Sequence, residues 1–570
     1  MKGVGAMGLE DRKWVRHYDP GVLPEIPIPD ITFTDMLLEG IKAKPQRPAL
    51  HFLGRTITFK ELDTLSGRFV SFLKNHGYGP GSVVGINLPN IPEYPIALTG
   101  ALRAGCTVTG ISPLLTPKEL AYQLTDAGVG VLVILDNLFA ERLVKIAAGV
   151  ACLKHVVVVN VGDSLPWIKR LLGTALKKIP RGEITPLSAK EVLRFKEILS
   201  AYPPGEDKPR LSPEDTCLIQ YTGGTTGMPK GAELSHRNLV ANTLHVREWV
   251  GWEMGQDVLC SAFPFFHLAG LAFGMVAMST ANTQCLIPDP RNIRHFCNEI
   301  KNRKPTVMAN VPTLYQMLLN EPVFKTLDFS MLKICVSGAA PFSMESIQTF
   351  EKVVGKGKVM EVYGMTEASP LLTMNPYAGK KKIGSVGVPV MNTDIKIVDL
   401  ETRSRETAVG EPGELIARGP QVMKGYHNKP EETANTLREL AGATWLFTGD
   451  VARMDEDGFI YVVDRAKDML IVGGYKVFSR EVEETLYQHP DIEFCAIVGL
   501  PDANRPGSEI VKVVIQLKSA SREKDRRQVE ADIVAYCREN MAPYKVPKIV
   551  EVVDQMPLTA VGKVDKKKLR

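Results

Sequence analysis

The run CLIQYT (217–222) passes directly into GGTTGMPKG (223–231). An apolar segment that ends in such a loop limits what the chain around it can build. Its residues read as a buried strand. Residues 222–227 are three threonines and three glycines: Thr222, Gly223, Gly224, Thr225, Thr226 and Gly227. Uncovered backbone amides, hydroxyl donors and the Lys230 cation can wrap a polyphosphate. This is not the GxxxxGK[ST] loop, because Lys230 follows Pro229 and precedes Gly231. No GxGxxG opens a helix after a strand, so a nicotinamide site has no support. A different nucleotide chemistry is needed.

Such a loop needs a covered sheet beneath it. With 570 residues the chain is long enough for roughly three to four units. Short apolar, β-branched runs at 80–88, 129–135, 156–159, 306–309 and 332–336 alternate with helical patterns at 93–104, 312–319 and 344–350. That alternation predicts an α/β fold with parallel or mixed sheets covered on both faces. From about Ile383 short strands at 394–398, 413–417 and 459–463 predict a β-rich subdomain. After the charged segment Asp464-Arg465-Ala466-Lys467, a helix at 479–489, strands at 495–500 and 511–517 and a helix at 525–540 predict a small α+β domain. The expected organisation is a large N-terminal domain over 1–463, a hinge over 464–467 and a mobile C-terminal domain over 468–570.

Charge and cysteine usage exclude other classes. The 69 basic and 64 acidic residues leave +5, too little over this length to argue for nucleic acid. Nine scattered cysteines with no CxxC pair read as reduced core thiols of a cytoplasmic chain, not a disulfide or zinc framework. No apolar stretch precedes Glu10 and Asp11, so no signal peptide is expected. Residues 262–280 carry no charge, but Pro264, His267, Gly270 and Gly274 interrupt them. A buried loop and helix is the expected structure there, rather than a membrane span.

The segment 151–203 stands out as an insertion. Within it Trp167, Ile168, Leu171, Leu172, Ala175, Leu176 and Ile179 keep the spacing of one helical face. Lys169, Arg170, Lys177 and Lys178 lie off that face, and Ser164 with Pro166 suits a helix start. Two readings stand: a helix packed on its own domain with a solvated basic face, or peripheral contact with anionic lipid through 164–181.

The loop YTGGTTGMPKG (221–231) resembles the phosphate-binding signature of the adenylate-forming enzymes. Four further blocks are similar to that superfamily and come in its order: YGMTE (363–367), WLFTGD (445–450), VDRAKDMLIVGGYKV (463–477) and PLTAVGKVDKKKLR (557–570). The resemblance implies that a carboxylate and ATP give an acyl-adenylate and pyrophosphate, and that coenzyme A then takes the acyl group as a thioester. It also implies Mg²⁺, which a hard oxygen donor such as Glu367 suits.

By that resemblance Tyr363 stacks on adenine, Gly338 and Ala339 in SGAAP (337–341) let backbone approach it, and Gly364 belongs to the same turn. Thr366 meets a phosphate oxygen, while Glu367 and Thr226 serve the metal. Asp450 accepts the ribose hydroxyls, Arg465 supports the ribose, and Lys467 marks the pivot. Gly473 and Gly474 fit the pantetheine approach. Lys563 is the mobile cation that bridges carboxylate and α-phosphate; read without the family, it belongs to a solvated basic tail. His267, in FPFFHLAG, is a positioning or gating residue between acyl pocket and nucleotide.

The segment 14–30, residues 419–433 and the block 445–467 are similar to the bacterial long-chain fatty-acid–CoA ligases. Ala443-Thr444 and Phe447 depart from that group, which commonly has Asp-Gly and histidine there. The expected substrates are therefore a medium- to long-chain fatty acid, ATP and coenzyme A. The expected location is the cytoplasm, with peripheral contact at the inner face of the membrane, and some relatives dimerise. An aryl-CoA ligase, a fatty acyl-AMP ligase and a non-catalytic lipid-binding adaptor are the alternatives; the last would be marked by loss of Glu367, Lys230 or Lys563.

Overall fold

A computed structural model of the chain describes residue 8 and residues 11–205, 209–222, 228–502, 505, 508–559 and 562–570. Gly223, Gly224, Thr225, Thr226 and Gly227 lie outside the described residues.

Two large sheets form the first part of the chain, one of eight and one of nine strands. In the eight-stranded sheet Val83–Asn87, Thr107–Gly110, Val129–Leu135, His155–Val159, Glu191–Arg194 and Thr216–Thr222 run parallel. Lys230–Ser235 and Gly425–Tyr426 pair antiparallel at one end. The nine-stranded sheet is parallel through Thr283–Leu286, Val258–Ser261, Val307–Asn310, Ile334–Ser337 and Val359–Gly364, with antiparallel edges. The continuous β-branched runs read in the sequence are these doubly covered strands.

Between the sheets pack the helices Phe33–Ala43, His236–Val250 and Leu268–Ser279, in mutual contact. The last has neither an acidic nor a basic residue and is buried along most of its length, which accounts for the uncharged stretch at 262–280. No helix among the described residues is long and apolar enough to cross a membrane. His236–Val250 begins at a reciprocal cap: Asn238 N donates to Ser235 Oγ at 3.2 Å, and Ser235 N donates to Asn238 Oδ1 at 2.8 Å. The Asn238 amide also donates to the carbonyls of Pro420 and Val422 at 2.8 and 2.9 Å, drawing the segment before Gly425 over the phosphate-loop hairpin.

A five-stranded antiparallel sheet contains Asp394–Val398, Gly413–Arg418 and Ala443–Met454. The remaining strands form a two-stranded hairpin and the three-stranded sheet of Ile492–Pro501, Glu509–Leu517 and Ile549–Val553. Ser479–Tyr487 and Arg526–Asn540 pack on that sheet around their own apolar cluster.

Three expectations need correction. The helix of the insertion runs Trp167–Ala175 and buries none of its residues, so the packed reading fails. Its apolar face is largely exposed among the described residues: Trp167 is 75% exposed, and Ile168, Leu171, Leu172 and Leu176 all exceed half exposure. Ser164 does not open this helix. It belongs to the short turn Val161–Ser164 and donates to the buried Glu93 carboxylate at 2.5 Å. The C-terminal lysines are likewise not a solvated tail throughout, because Lys566 pairs with Glu483 and donates to Ser479 Oγ, both at 2.8 Å.

Candidate active site

The strand Thr216–Thr222 and its antiparallel partner Lys230–Ser235 hold the two ends of the phosphate loop, so the loop closes a hairpin. Both ends, Thr222 and Lys230, line a cavity of about 680 Å³. Lys230 Nζ pairs with Glu432 at 2.7 Å and stands 4.7 Å from the centre of the Tyr426 ring. On the opposite wall Val359–Gly364 delivers Gly364, Thr366 and Glu367. A Cβ at Gly364 would fall 1.8 Å from the Pro370 carbonyl oxygen, so this turn admits no side chain. Glu367 is buried, and one of its carboxylate oxygens accepts the Tyr426 hydroxyl at 2.6 Å. Gly338 and Ala339 complete this wall.

Arg465, Lys467 and Lys563 border the same mouth. Thr313 Oγ1 donates to the Gly562 carbonyl at 2.6 Å, which seats the Lys563 turn on the nine-stranded body. Desolvation and the Arg465 guanidinium push the Lys563 amine down to about 8, against a smaller opposing pull from Asp450. Its ammonium has no hydrogen-bond or ion-pair partner among the described residues. His267 caps the Leu268–Ser279 helix, its Nδ1 accepting Ala269 N at 3.3 Å. Desolvation, with a further push from Lys563, holds this imidazole down at about 3, so it is neutral and carries its proton on Nε2.

Asp450 is 2% exposed and lies behind the wall rather than on it. One carboxylate oxygen pairs with Arg465 Nε and the other accepts Tyr363 Oη, both at 2.6 Å. The structure therefore brings Asp450, Arg465 and Tyr363 together as a triplet of which only Arg465 lines the cavity; Tyr363, like Asp450, does not line it. Gly473 and Gly474 do not join the site here. They form the exposed tip of the hairpin between Leu470–Val472 and Tyr475–Val477, at φ 57° and 86°.

The cavity has a second, apolar branch between two helices. Leu239, Asn242, Thr243, Val246 and Val250 line it from His236–Val250, at the spacing of one helical face. Eleven residues rise about 16 Å at 1.5 Å per residue. Ala269, Ala272, Phe273 and Val276 of Leu268–Ser279 face it, and Trp252 contributes as well.

Several residues of the site were not singled out from the sequence. Tyr426 and Glu432 flank the phosphate-loop lysine, and their only signal was position within residues 419–433. Arg403 holds Glu414 through two bonds of 2.7 and 2.8 Å, and Phe447 lies between Arg403 and Arg438 at 5.1 and 5.0 Å. The residue at 447 that departs from the fatty-acid ligases thus serves as a cation-stacking platform at the cavity edge.

A cation-rich mouth that opens onto a long apolar branch can bring a polyanionic nucleotide against the polar end of an oily acid. That is the layout of an acid-activating, nucleotide-binding enzyme. The chain belongs to the AMP-binding enzyme family, whose model matches residues 38–427, while the AMP-binding enzyme C-terminal domain matches 481–563. It is 36% identical over 563 residues to the long-chain-fatty-acid–CoA ligase of Escherichia coli O157:H7, covering 98% of this chain and 97% of that protein. It is 37% identical over 567 residues to the long-chain-fatty-acid–CoA ligase of Bacillus subtilis, with the same coverage. Among solved structures it is similar to the anthranilate CoA ligase AuaEII in complex with anthranoyl-AMP. That likeness has 26% identity and a TM-score of 0.83, over 96% of this chain and 97% of that one.

Proposed function

We propose that this chain is an AMP-forming ligase that joins a medium- to long-chain fatty acid to coenzyme A at the expense of ATP. The observation that carries the reading is one cavity that holds a lysine ammonium without a hydrogen-bond or ion-pair partner among the described residues and a neutral histidine, and that is lined by side chains along about 16 Å of helix. An acyl chain occupies the branch, and its carboxylate meets Lys563 and His267 Nε2–H. The phosphate loop, with Thr222 through Gly227 and Lys230, holds the triphosphate. Gly338, Ala339, Tyr363 and Gly364 form the adenine face, and Thr366 meets a phosphate oxygen. Asp450, released from Arg465 or sharing with it, serves the ribose.

Glu367 and Thr226 are the residues that would hold Mg²⁺; the buried Glu367 carboxylate, which accepts the Tyr426 hydroxyl, is a hard oxygen donor that fits such a cation. When bound, the metal offsets the charge of the phosphates. Lys563 neutralises charge as the carboxylate oxygen attacks the α-phosphorus and pyrophosphate leaves. In the second step the coenzyme A sulfur attacks the acyl carbon and AMP departs. Because Gly473 and Gly474 face solvent in the present arrangement, bringing them to the thiol requires rotation of 468–570 about 464–467, with Lys467 at the pivot.

Pyrophosphate release with ATP, Mg²⁺ and octanoate, palmitate or benzoate, with and without coenzyme A, tests the assignment. The expected result is release with the fatty acids and sustained turnover only when coenzyme A is present. Preference for benzoate would move the protein to the aryl-CoA ligases. Sustained release that ignores coenzyme A and yields free acyl-adenylate would move it to the acyl-AMP ligases. The adaptor reading has no support, since Glu367, Lys230 and Lys563 are all present.

The uncovered helix Trp167–Ala175 docks on an anionic bilayer surface. Four exposed apolar side chains of the helix, and Leu176 just past its end, precede Lys177 and Lys178 in the chain, whereas Lys169 donates to the Leu53 carbonyl and Arg170 pairs with Asp163. An interfacial helix buries this kind of face among headgroups, and each nearby lysine adds about 1 kcal/mol on an anionic surface. Co-sedimentation with phosphatidylglycerol vesicles is therefore expected. It should fall roughly 30-fold in affinity on replacing both Lys177 and Lys178 by Gln, and more on Leu171→Ser with Leu172→Ser. Binding indifferent to all four changes would remove the helix from the contact.

A further inference from the structure

At the opposite edge of the eight-stranded sheet from the phosphate-loop hairpin, three side chains outside the active site converge. His155 opens His155–Val159, Glu191 opens Glu191–Arg194, and the two are register partners across parallel strands. His76 follows the end of Phe59–Asn75. The Nε2 atoms of His155 and His76 face the same Glu191 oxygen at 3.2 and 3.8 Å. The three ligand atoms all lie within 4.8 Å of one another.

Each ring is oriented from behind. His76 Nδ1 stands 2.8 Å from the Phe72 carbonyl oxygen, which can only accept, so Nδ1 carries a proton and Nε2 is the ring nitrogen turned toward the carboxylate. His155 Nδ1 is bonded to Tyr78 Oη at 2.6 Å, and the two imidazoles meet edge to face with centroids 4.7 Å apart.

We infer that His76, His155 and Glu191 form a binding site for a divalent transition ion of the Zn²⁺ class. Two imidazoles and a carboxylate are borderline ligands that suit such ions and leave a position for water. In a tetrahedral site with bonds of about 2.0–2.1 Å the ligand atoms stand roughly 3.3 Å apart, so modest closure of the His76 ring completes the set. The hydrogen bonds to Phe72 and Tyr78 are the outer contacts that fix ligating histidines. The site joins the end of one helix to two strands, the outer one being the edge strand by which the chain returns from the amphipathic segment. The ion acts as a clamp at the base of that segment, remote from the residues proposed for catalysis.

The test uses the full-length protein stripped with a chelator and titrated with Zn²⁺ by calorimetry without nucleotide, with Tm followed in parallel. One Zn²⁺ is expected to bind in the micromolar range or tighter and to raise Tm by a few degrees. Glu191→Gln removes only the charge of an exposed side chain, and it should weaken that binding about 10–100-fold or more and cancel the rise in Tm. His76→Gln should do the same, and pyrophosphate release should be unchanged in both. Zn²⁺ affinity and Tm that respond to neither substitution, or the absence of micromolar binding, would overturn the site.

Discussion

Replacing Lys563 with alanine is expected to lower the rate of acyl-adenylate formation by about 10²–10³-fold or more, while thioester formation from supplied acyl-adenylate largely survives. The magnitude is that of removing one preorganised charge-stabilising donor from a water-poor site, about 2.7–4 kcal/mol. The selectivity follows from placement. The Lys563 turn is held at the cavity by Thr313, and the rotation proposed for the second step would withdraw it. A pH profile gives an independent readout. The amine lies at about 8 in the free protein, and the protonated form is the one that stabilises charge. The kcat/KM for adenylation should therefore be flat below about pH 7 and fall as pH rises through 8. A bound triphosphate favours the ammonium, so the limb in kcat should sit at higher pH. Lys563→Arg, whose cation does not titrate in this range, should recover part of the rate and lose the alkaline limb. Single-turnover measurement of the two half-reactions checks all of this; equal loss of both in the alanine variant would remove the assigned role.

The elements that positioned this site were legible wherever the pattern is local. Continuous β-branched runs gave the parallel strands. The uncharged 262–280 stretch, broken by Pro264 and Gly270, was readable as a buried helix because one with no polar face has no solvent side. Pairings between distant residues were not legible. Nothing in WLFTGD says that both oxygens of Asp450 are taken, one by Arg465 fifteen residues later and one by Tyr363 far upstream. Nothing in YGMTE announces Tyr426. The insertion fails for a related reason. Periodicity shows that a helix has an apolar face, but only tertiary structure shows whether anything covers it, and here the described residues leave it largely exposed. Resemblance supplied the order of the blocks, whereas the charge environment that makes Lys563 titrate near neutrality needed coordinates.

Ala272→Trp should convert the protein from a long-chain to a medium-chain enzyme. Ala272 lies five residues beyond His267 on a helix whose successive faces line the apolar branch, which places it about 7.5 Å along the branch at 1.5 Å per residue. An indole there fills the channel near its midpoint and leaves the cation-rich mouth unaltered. Each methylene denied burial costs about 0.8 kcal/mol. Exclusion of four or five of them should reduce kcat/KM for palmitate by roughly 10²–10³-fold, with little change for octanoate. The same substitution should leave the apparent affinity for ATP within a few fold of the parent, since the phosphate-loop hairpin is untouched. Ala272→Val, which narrows the channel without closing it, should give an intermediate preference. A chain-length series read as kcat/KM makes the comparison internal to each variant, so a general loss of folded protein cannot imitate the result. If palmitate and octanoate fell together, the acyl chain would have to lie elsewhere, and the branch between His236–Val250 and Leu268–Ser279 would be unused packing space.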